Sequence, residues 1–188
     1  MSLDERKRHV IDCARQLFTE RGYRATSTTQ IAKAADISEM TLFRYFPRKR
    51  DVFLEVIRPV VDVFQLANGL SKDSAQFSTE RELWSFISRR LDFIKENREL
   101  VLLVLIESQL QPDLMGDVNP IVQVQGQLAS VLEKFGLSLE NANIVIRQIT
   151  GILTSALFSP RDPHLDEQVA NVVFEDIKRR FHLKGPEA

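Results

Sequence analysis

Residues 26–50 are TSTTQIAKAADISEMTLFRYFPRKR, and this stretch decides the fold. Ser27 and Gln30 have the spacing of a capping box, in which a serine hydroxyl and a glutamine side chain close the first turn of a helix. Two alanines followed by Asp36, a residue that tolerates a positive φ, predict a tight turn. Ser38 is placed to cap the helix that follows. The stretch therefore predicts two short helices joined by a tight turn, which is the layout of a helix-turn-helix.

The second helix of this pair, residues 39–45, has an unusually polar face for its length. Leu42 and Phe46 are spaced to face inward, whereas the remaining positions are expected to point outward, namely Glu39, Met40, Thr41, Arg44 and Tyr45. A helix in the major groove of DNA presents such residues to base edges and phosphates. For any one of them a solvated surface is the alternative, and the capped helix before them favours nucleic-acid binding.

Three cations, Arg48, Lys49 and Arg50, follow Pro47 at the start of the next predicted helix. Positive charge at a helix N-terminus opposes the helix dipole, so a phosphate backbone explains the run better than helix stability does. The wider charge distribution agrees, because residues 1–50 hold 11 Lys and Arg against 6 Asp and Glu, a net charge of +5. Residues 51–188 hold 14 against 20, a net charge of −6.

These residues resemble the TetR family of bacterial transcriptional regulators. The matching positions run from about Arg8 to Phe53 and comprise Ile11, Ala14, Leu17, Phe18, Glu20, Gly22, Tyr23, Thr26, Ser27, Ile31, Ala32, Ala35, Ile37, Ser38, Thr41, Leu42, Phe43, Tyr45, Phe46, Pro47 and Lys49. The resemblance implies an all-helical homodimer that binds a palindromic operator in double-stranded DNA. It also implies a C-terminal body that binds a small-molecule effector, whose binding usually ends repression.

The resemblance supports DNA contacts by several residues of the helix-turn-helix and places Arg44 where family members vary. Two positions depart from the family pattern. Phe43 stands where a tyrosine hydroxyl commonly contacts a phosphate, and Asp36 stands where glycine is favoured. The complete set of predicted DNA-binding residues is Ser27, Thr28, Ser38, Glu39, Met40, Thr41, Phe43, Arg44, Tyr45, Arg48 and Lys49.

The periodicity of apolar residues predicts an all-α chain of about nine helices, with a DNA-binding domain over residues 1–50 and an effector-binding and dimerisation domain over residues 51–188. The first helix is expected from about Asp4 to Arg21, ended by Gly22. A long helix is expected after Pro47, with Pro59 as a point where it bends. Further helices are expected near residues 80–96, 98–110, 119–135, 139–158 and 164–181.

The last two helices are the predicted dimer interface, because each has a broad apolar face. The two faces consist of Val145, Ile149, Ile152, Leu153, Ala156 and Leu157 on one helix and Val169, Val172, Val173, Ile177 and Phe181 on the other. Burial of both faces within one subunit is the alternative.

An apolar or aromatic effector is expected to bind between the helices of the body. Such sites are mainly apolar with few polar groups. The predicted lining residues are Phe64, Trp84, Phe93, Leu102, Ile106, Gln109 and Met115, with core packing as the alternative role for each.

Other classes of function find little support in the sequence. The three histidines are scattered, and neither a metal-binding spacing nor a glycine-rich phosphate loop is present, so we expect no enzyme, no cofactor and no metal site. Glu107 lies in an apolar segment and is expected to be paired or half-exposed. The longest strongly apolar run, residues 100–106, is too short to cross a bilayer, so a cytoplasmic protein is expected. A helical ligand-binding or interaction protein that has lost DNA binding is the alternative, and Phe43 alone favours it.

Overall fold

The computed structural model describes residues 2–64, 80–116, 119–134, 136–158 and 162–181. These residues form helices and connecting turns without a β-strand, so the all-α prediction is confirmed. The described helices number ten, against about nine predicted. They are α1 (Leu3–Ala25), α2 (Thr28–Ala34), α3 (Glu39–Tyr45), α4 (Lys49–Phe64), α5 (Glu80–Glu96), α6 (Arg98–Leu110), α7 (Pro112–Met115), α8 (Pro120–Lys134), α9 (Leu139–Phe158) and α10 (Pro163–Phe181).

Helix α1 is kinked at Gly22, where its predicted end lies. The φ of 78° and ψ of 169° at Gly22 belong to a region that is open essentially to glycine alone. Before the kink, Val10, Ala14 and Phe18 form the buried face of the helix. Because the backbone turns at Gly22, residues 23–26 leave the axis of α1 and lead to α2.

Helix α4 continues through Pro59 to Phe64, as one helix of sixteen residues. Its first half carries Val52, Phe53, Val56 and Ile57, all of which are buried. The short helix α7 is an addition to the predicted set. Pro112 occupies its first turn, a position that needs no backbone N–H, and was expected to mark a break instead.

The chain divides into two compact units, each with its own core. The first comprises residues 1–62 and 99–119, and therefore holds α1 to α3, most of α4, nearly all of α6, and α7. The second comprises residues 63–98 and 120–188. Whether the functional boundary lies at residue 50 stays a prediction.

The second unit is built around α9, which packs against α5, α8 and α10. Leu83, Ile87, Leu132 and Ile149 are completely buried in its core. Within this unit the Nε of Arg98 donates to the carbonyl of Leu157, at the end of α9, at 2.7 Å. None of the helices in the described ranges is long and apolar enough to cross a membrane.

Candidate DNA-binding site

Both helices of the predicted helix-turn-helix are capped as their sequence indicates. The Ser27 hydroxyl accepts from the Gln30 N–H at 3.1 Å, and the Gln30 side chain accepts from the Ser27 N–H at 2.8 Å, which completes the capping box. The Ser38 hydroxyl accepts from the Thr41 N–H at 3.1 Å. Each cap satisfies a backbone donor that the first turn leaves free, so both short helices begin at defined residues.

The turn between α2 and α3 depends on Asp36, whose φ is +52°. This confirms the prediction of a left-handed residue at that position. The following amide, of Ile37, donates to the carbonyl of Ala32 at 3.0 Å and closes the turn. Ile37 is half-buried rather than fully covered, and Ala35 is buried where the helices approach.

Helix α3 has an inward and an outward side, but of the residues predicted to point outward, Glu39, Thr41 and Tyr45 are only half-exposed. Leu42 is completely buried and Phe46 nearly so, which fixes the rotation of the helix. Met40 is 83% exposed and Phe43 43% exposed, and Arg44 is exposed beside them. The Arg44 guanidinium lies 5.7 Å from the centre of the Tyr45 ring, a cation–π contact that leaves its outer edge open to a ligand.

Glu39 connects the beginnings of α2 and α3. Its carboxylate accepts a hydrogen bond from the Thr28 hydroxyl and another, at 3.1 Å, from the Thr29 hydroxyl. Two of the predicted DNA-binding residues are therefore bonded to each other in the free protein. Thr29 was not among the predicted residues. The adjacent threonines Thr28 and Thr29 at the start of α2 could have indicated it, because both carry hydroxyl donors.

The three cations of the basic run all have partners within the first unit. Arg48 forms a bidentate pair with Asp51, with distances of 3.2 Å from Nε and 3.0 Å from the terminal nitrogen. Arg50 donates from Nε to the carbonyl of Leu114 at 2.9 Å. The Lys49 ammonium donates to two carbonyls, those of Tyr23 and Thr26, each at 2.9 Å. Since an ammonium carries three donors, Lys49 keeps one for a further acceptor.

These contacts shift the ionisation of two groups. Hydrogen bonding from Arg48, reinforced by its charge, lowers the pKa of the Asp51 carboxyl below its ordinary value. Burial lowers the pKa of the Lys49 ammonium, and the negative charge of Glu107 partly offsets that effect. Lys49 is thus held by partners within the protein, which a solvated lysine that only binds phosphate does not need.

The Tyr23 junction, which we define as Gly22, Tyr23, Lys49 and Glu107, brings together the end of α1, the start of α4 and α6. The Tyr23 N–H donates to Glu107 Oε1 at 2.7 Å, and its carbonyl accepts from Lys49. The Lys49 ammonium also lies 4.1 Å from the centre of the Tyr23 ring. Glu107 is buried and paired, which confirms the paired option predicted for it, but sequence reasoning assigned neither Tyr23 nor Glu107 to a site.

The predicted effector-binding residues fall into separate places. In the first unit Leu102 and Ile106 line a cleft of about 500 Å³ between α1 and α6, together with Phe18, Gly22 and Glu107. Gln109 is exposed outside that cleft, and Met115 is completely buried.

In the second unit the remaining predicted residues form aromatic contacts. The Phe64 and Phe93 rings pair edge to face at 6.4 Å, with the Arg90 guanidinium 5.9 Å from the Phe64 ring centre. The Trp84 ring meets that of Phe174 at 5.2 Å.

The predicted dimer faces differ in how much of them remains accessible. The apolar residues of α9 are largely buried inside the second unit, including Val145, Ile149 and Leu157. On α10, Ile177 is buried, whereas Val169 is 40% and Val172 69% exposed. Packing within one subunit therefore buries most of the apolar face of α9, whereas the apolar face of α10 remains partly exposed.

The helix-turn-helix and its flanking helices match a known sequence profile, described as bacterial regulatory proteins of the TetR family, over residues 10–56. Over these residues the chain belongs to the TetR family. The chain is 26% identical over 125 residues to the uncharacterized HTH-type transcriptional regulator YvkB of Bacillus subtilis, covering 64% of the chain and 62% of YvkB. It is 23% identical over 141 residues to the HTH-type transcriptional regulator RutR of Escherichia coli K12, covering 72% of the chain and 65% of RutR.

The solved structure of the fatty acid degradation regulator FadR from Bacillus halodurans has the same fold as this chain. Its TM-score is 0.65 at 16% identity, with 93% of the chain and 97% of FadR covered. The chain spans less than two thirds of the length of the curated relatives YvkB and RutR. Those relatives are named as transcriptional regulators and not as enzymes, in line with the prediction for this chain.

Proposed function

We propose that this chain is a transcriptional regulator that binds operator DNA through α2 and α3, with α3 in the major groove. The observation that carries the proposal is the exposed face of α3, where Met40, Phe43 and Arg44 project from a helix whose rotation is fixed by buried Leu42. A helix-turn-helix reads base edges with such a face. The positive charge of residues 1–50 supplies the attraction to phosphate.

The regulator is proposed to act as a homodimer through the last two helices. Large apolar side chains at the end of α9 and along α10 support this, since Phe158, Leu165, Val169 and Val172 are all exposed. Apolar patches of this kind mark protein interfaces. A two-fold dimer presents two copies of α3 to successive major grooves roughly 34 Å apart, which fits a palindromic operator and repression by occlusion of a promoter.

The effector is proposed to be a small apolar or aromatic molecule. The cleft between α1 and α6 supports this, because its walls include Phe18, Leu102, Leu103 and Ile106 and its volume suits a small ligand.

The DNA-binding proposal is tested by fluorescence anisotropy with labelled fragments from the protein's own genomic neighbourhood. We expect one fragment to bind at least about a thousandfold more tightly than unrelated DNA at physiological salt. Absence of sequence-preferred binding even at low salt contradicts the proposal. It then favours the alternative, a helical ligand-binding protein without DNA binding, for which the absence of a hydroxyl at exposed Phe43 is the supporting observation.

The dimer proposal is tested by sedimentation velocity of Val172→Glu beside Val122→Glu. Both valines are exposed, at 69% and 64%, and only Val172 lies on a predicted dimer helix. A charge placed in an apolar interface has no favourable partner, so we expect Val172→Glu to sediment as a monomer and Val122→Glu as a dimer. A Val172→Glu dimer as stable as that of the unmodified chain contradicts this interface.

A further inference from the structure

The backbone of Tyr23 is held on both sides by charged side chains from other helices. Its N–H donates to the carboxylate of Glu107 on α6, and its carbonyl accepts from the ammonium of Lys49 on α4. The ring packs against Phe18 and Phe53, with centroids 5.7 and 5.1 Å away. Three helices therefore fix one residue just after the kink of α1.

Glu107 is the most constrained member of this arrangement. The residue is only 4% exposed, and each of its carboxylate oxygens has a defined donor. Oε1 accepts from Tyr23, and Oε2 accepts from the Gln111 side chain at 2.6 Å. Oε1 also lies 3.2 Å from the place where a Cβ on Gly22 would stand, so the carboxylate fits against the bare glycine backbone.

The held segment leads directly into the helix-turn-helix. Thr26 is buried, and its hydroxyl donates to the carbonyl of Gly22 at 2.9 Å, while its own carbonyl accepts from Lys49. The next residue, Ser27, caps α2. The position of that cap relative to the rest of the first unit is therefore set through residues 22–26.

We propose that Glu107 is a positioning residue for DNA binding, which holds α2 and α3 in the binding geometry through its hydrogen bond to the Tyr23 N–H. This inference rests on the proposed DNA-binding function. The hydrogen bonds of Glu107 go to Tyr23 and Gln111, outside α2 and α3, and Glu107 also lines the cleft proposed for an effector. Removing the acceptor leaves a donor unpaired beside apolar residues, and the backbone of residues 23–26 then relaxes toward other donors and acceptors.

Three variants of the full chain test the proposal. Glu107→Leu removes the acceptor, and Glu107→Gln keeps an oxygen that accepts from Tyr23. Glu99→Leu is the matched control for loss of a carboxylate from the same helix and the same cleft, because Glu99 is exposed and the described structure gives it no hydrogen bond or ion pair. A milder fourth variant, Gln111→Leu, removes only the donor that orients Glu107 and keeps the test available if Glu107→Leu does not fold.

We expect Glu107→Leu to weaken operator binding by about tenfold or more, from the loss of a charge-assisted hydrogen bond. The slope of log K against log salt should not change, because Glu107 contacts no phosphate. Glu107→Gln should restore most of the affinity, Glu99→Leu should retain all of it, and Gln111→Leu should weaken binding by about threefold, less than the loss of a typical hydrogen bond.

Amide hydrogen exchange separates positioning from general destabilisation. Positioning predicts faster exchange in Glu107→Leu at residues 23–28, with the rest of α1 and α4 unchanged. Uniformly faster exchange across the first unit, or Glu107→Leu with wild-type DNA affinity, overturns the inference. If the unmodified chain binds no DNA, the proposed function fails, and unchanged exchange at residues 23–28 then overturns the positioning role separately.

Discussion

The outer side of α3 and the Tyr23 junction differ in how far their side chains are exposed and bonded within the protein. The outer side of α3 presents Met40, Phe43 and Arg44 to solvent, where they are available to a ligand. At the Tyr23 junction, by contrast, backbone and side-chain polar groups are bonded to one another and are buried or half-buried. Side chains that bind a ligand must be accessible to it. The residues that hold the helix carrying those side chains in place must instead have their polar groups hydrogen-bonded within the protein. Changes on the outer side should therefore alter binding without altering stability, and changes at the junction should alter both.

The largest effect is expected from Gly22→Ala. A side chain is strained at φ of 78° and ψ of 169°, and its Cβ lies 3.2 Å from Glu107 Oε1, so we expect a loss of about 2–4 kcal/mol in the free energy of unfolding. Urea denaturation measures it. Gly126→Ala, at an exposed helical position with no atom within 4 Å of the added Cβ, should instead stabilise by about 0.5–1 kcal/mol. Equal effects of the two changes would refute the special role of Gly22.

Arg44→Ala tests the outer side. If Arg44 reads a base, the variant should lose about 1–3 kcal/mol of discrimination at one or two base pairs and keep the unfolding free energy of the unmodified chain. Competition binding with a set of singly substituted operators measures the discrimination. Arg58→Ala, which removes an exposed cation of α4 together with its ion pair to Glu55, serves as the control for loss of a positive charge away from α3. An equal loss on every operator would place Arg44 on a phosphate.

Lys49→Met tests whether Lys49 binds DNA phosphate, holds the Tyr23 junction, or does both. The variant loses two hydrogen bonds to carbonyls, so we expect the unfolding free energy to fall by about 1–2 kcal/mol. If the third donor also binds a phosphate, the salt slope of DNA binding should fall by about 0.9 units. Urea denaturation and a salt titration of operator affinity give the two answers independently. Reduced stability with an unchanged slope would assign Lys49 to the junction alone.

Asp36→Gly should give the smallest effect. Glycine adopts the φ of +52° without the steric cost that aspartate carries, so we expect a gain of up to about 0.5–1 kcal/mol in stability. Thermal unfolding measures it. Asp113→Gly, at an exposed site within α7, should destabilise instead. A destabilised Asp36→Gly would show that the aspartate makes a contribution beyond its backbone conformation.

Local pattern was sufficient to predict the helix-turn-helix. The two serine caps, the turn at Asp36 and the inward face of α3 depend on residues within a few positions of one another, and all were confirmed. The long helices of the body were also predicted with nearly correct bounds, because each has a clear apolar period.

Partners distant along the chain were not predictable in this way. Lys49 is 26 residues from Tyr23, and Glu107 is 84 residues from it. A single sequence shows that Lys49 is a cation near a helix start, but not that two carbonyls at the end of α1 lie within its reach. Likewise the apolar face of α9 is visible in the sequence, and only packing shows that α5, α8 and α10 bury it.

The partners of the basic run also bear on how fast the protein meets DNA. Arg48 is paired with a carboxylate, so at a distance the two charges form a dipole whose field falls away quickly. Arg50 donates to the neutral carbonyl of Leu114 and keeps a full positive charge that acts over about one Debye length. Arg48 and Arg50, although only two residues apart, thus differ in how far their positive charge attracts DNA. Diffusional steering, and with it the association rate at low salt, should therefore fall when Arg50 is removed and change little when Arg48 and Asp51 are removed together.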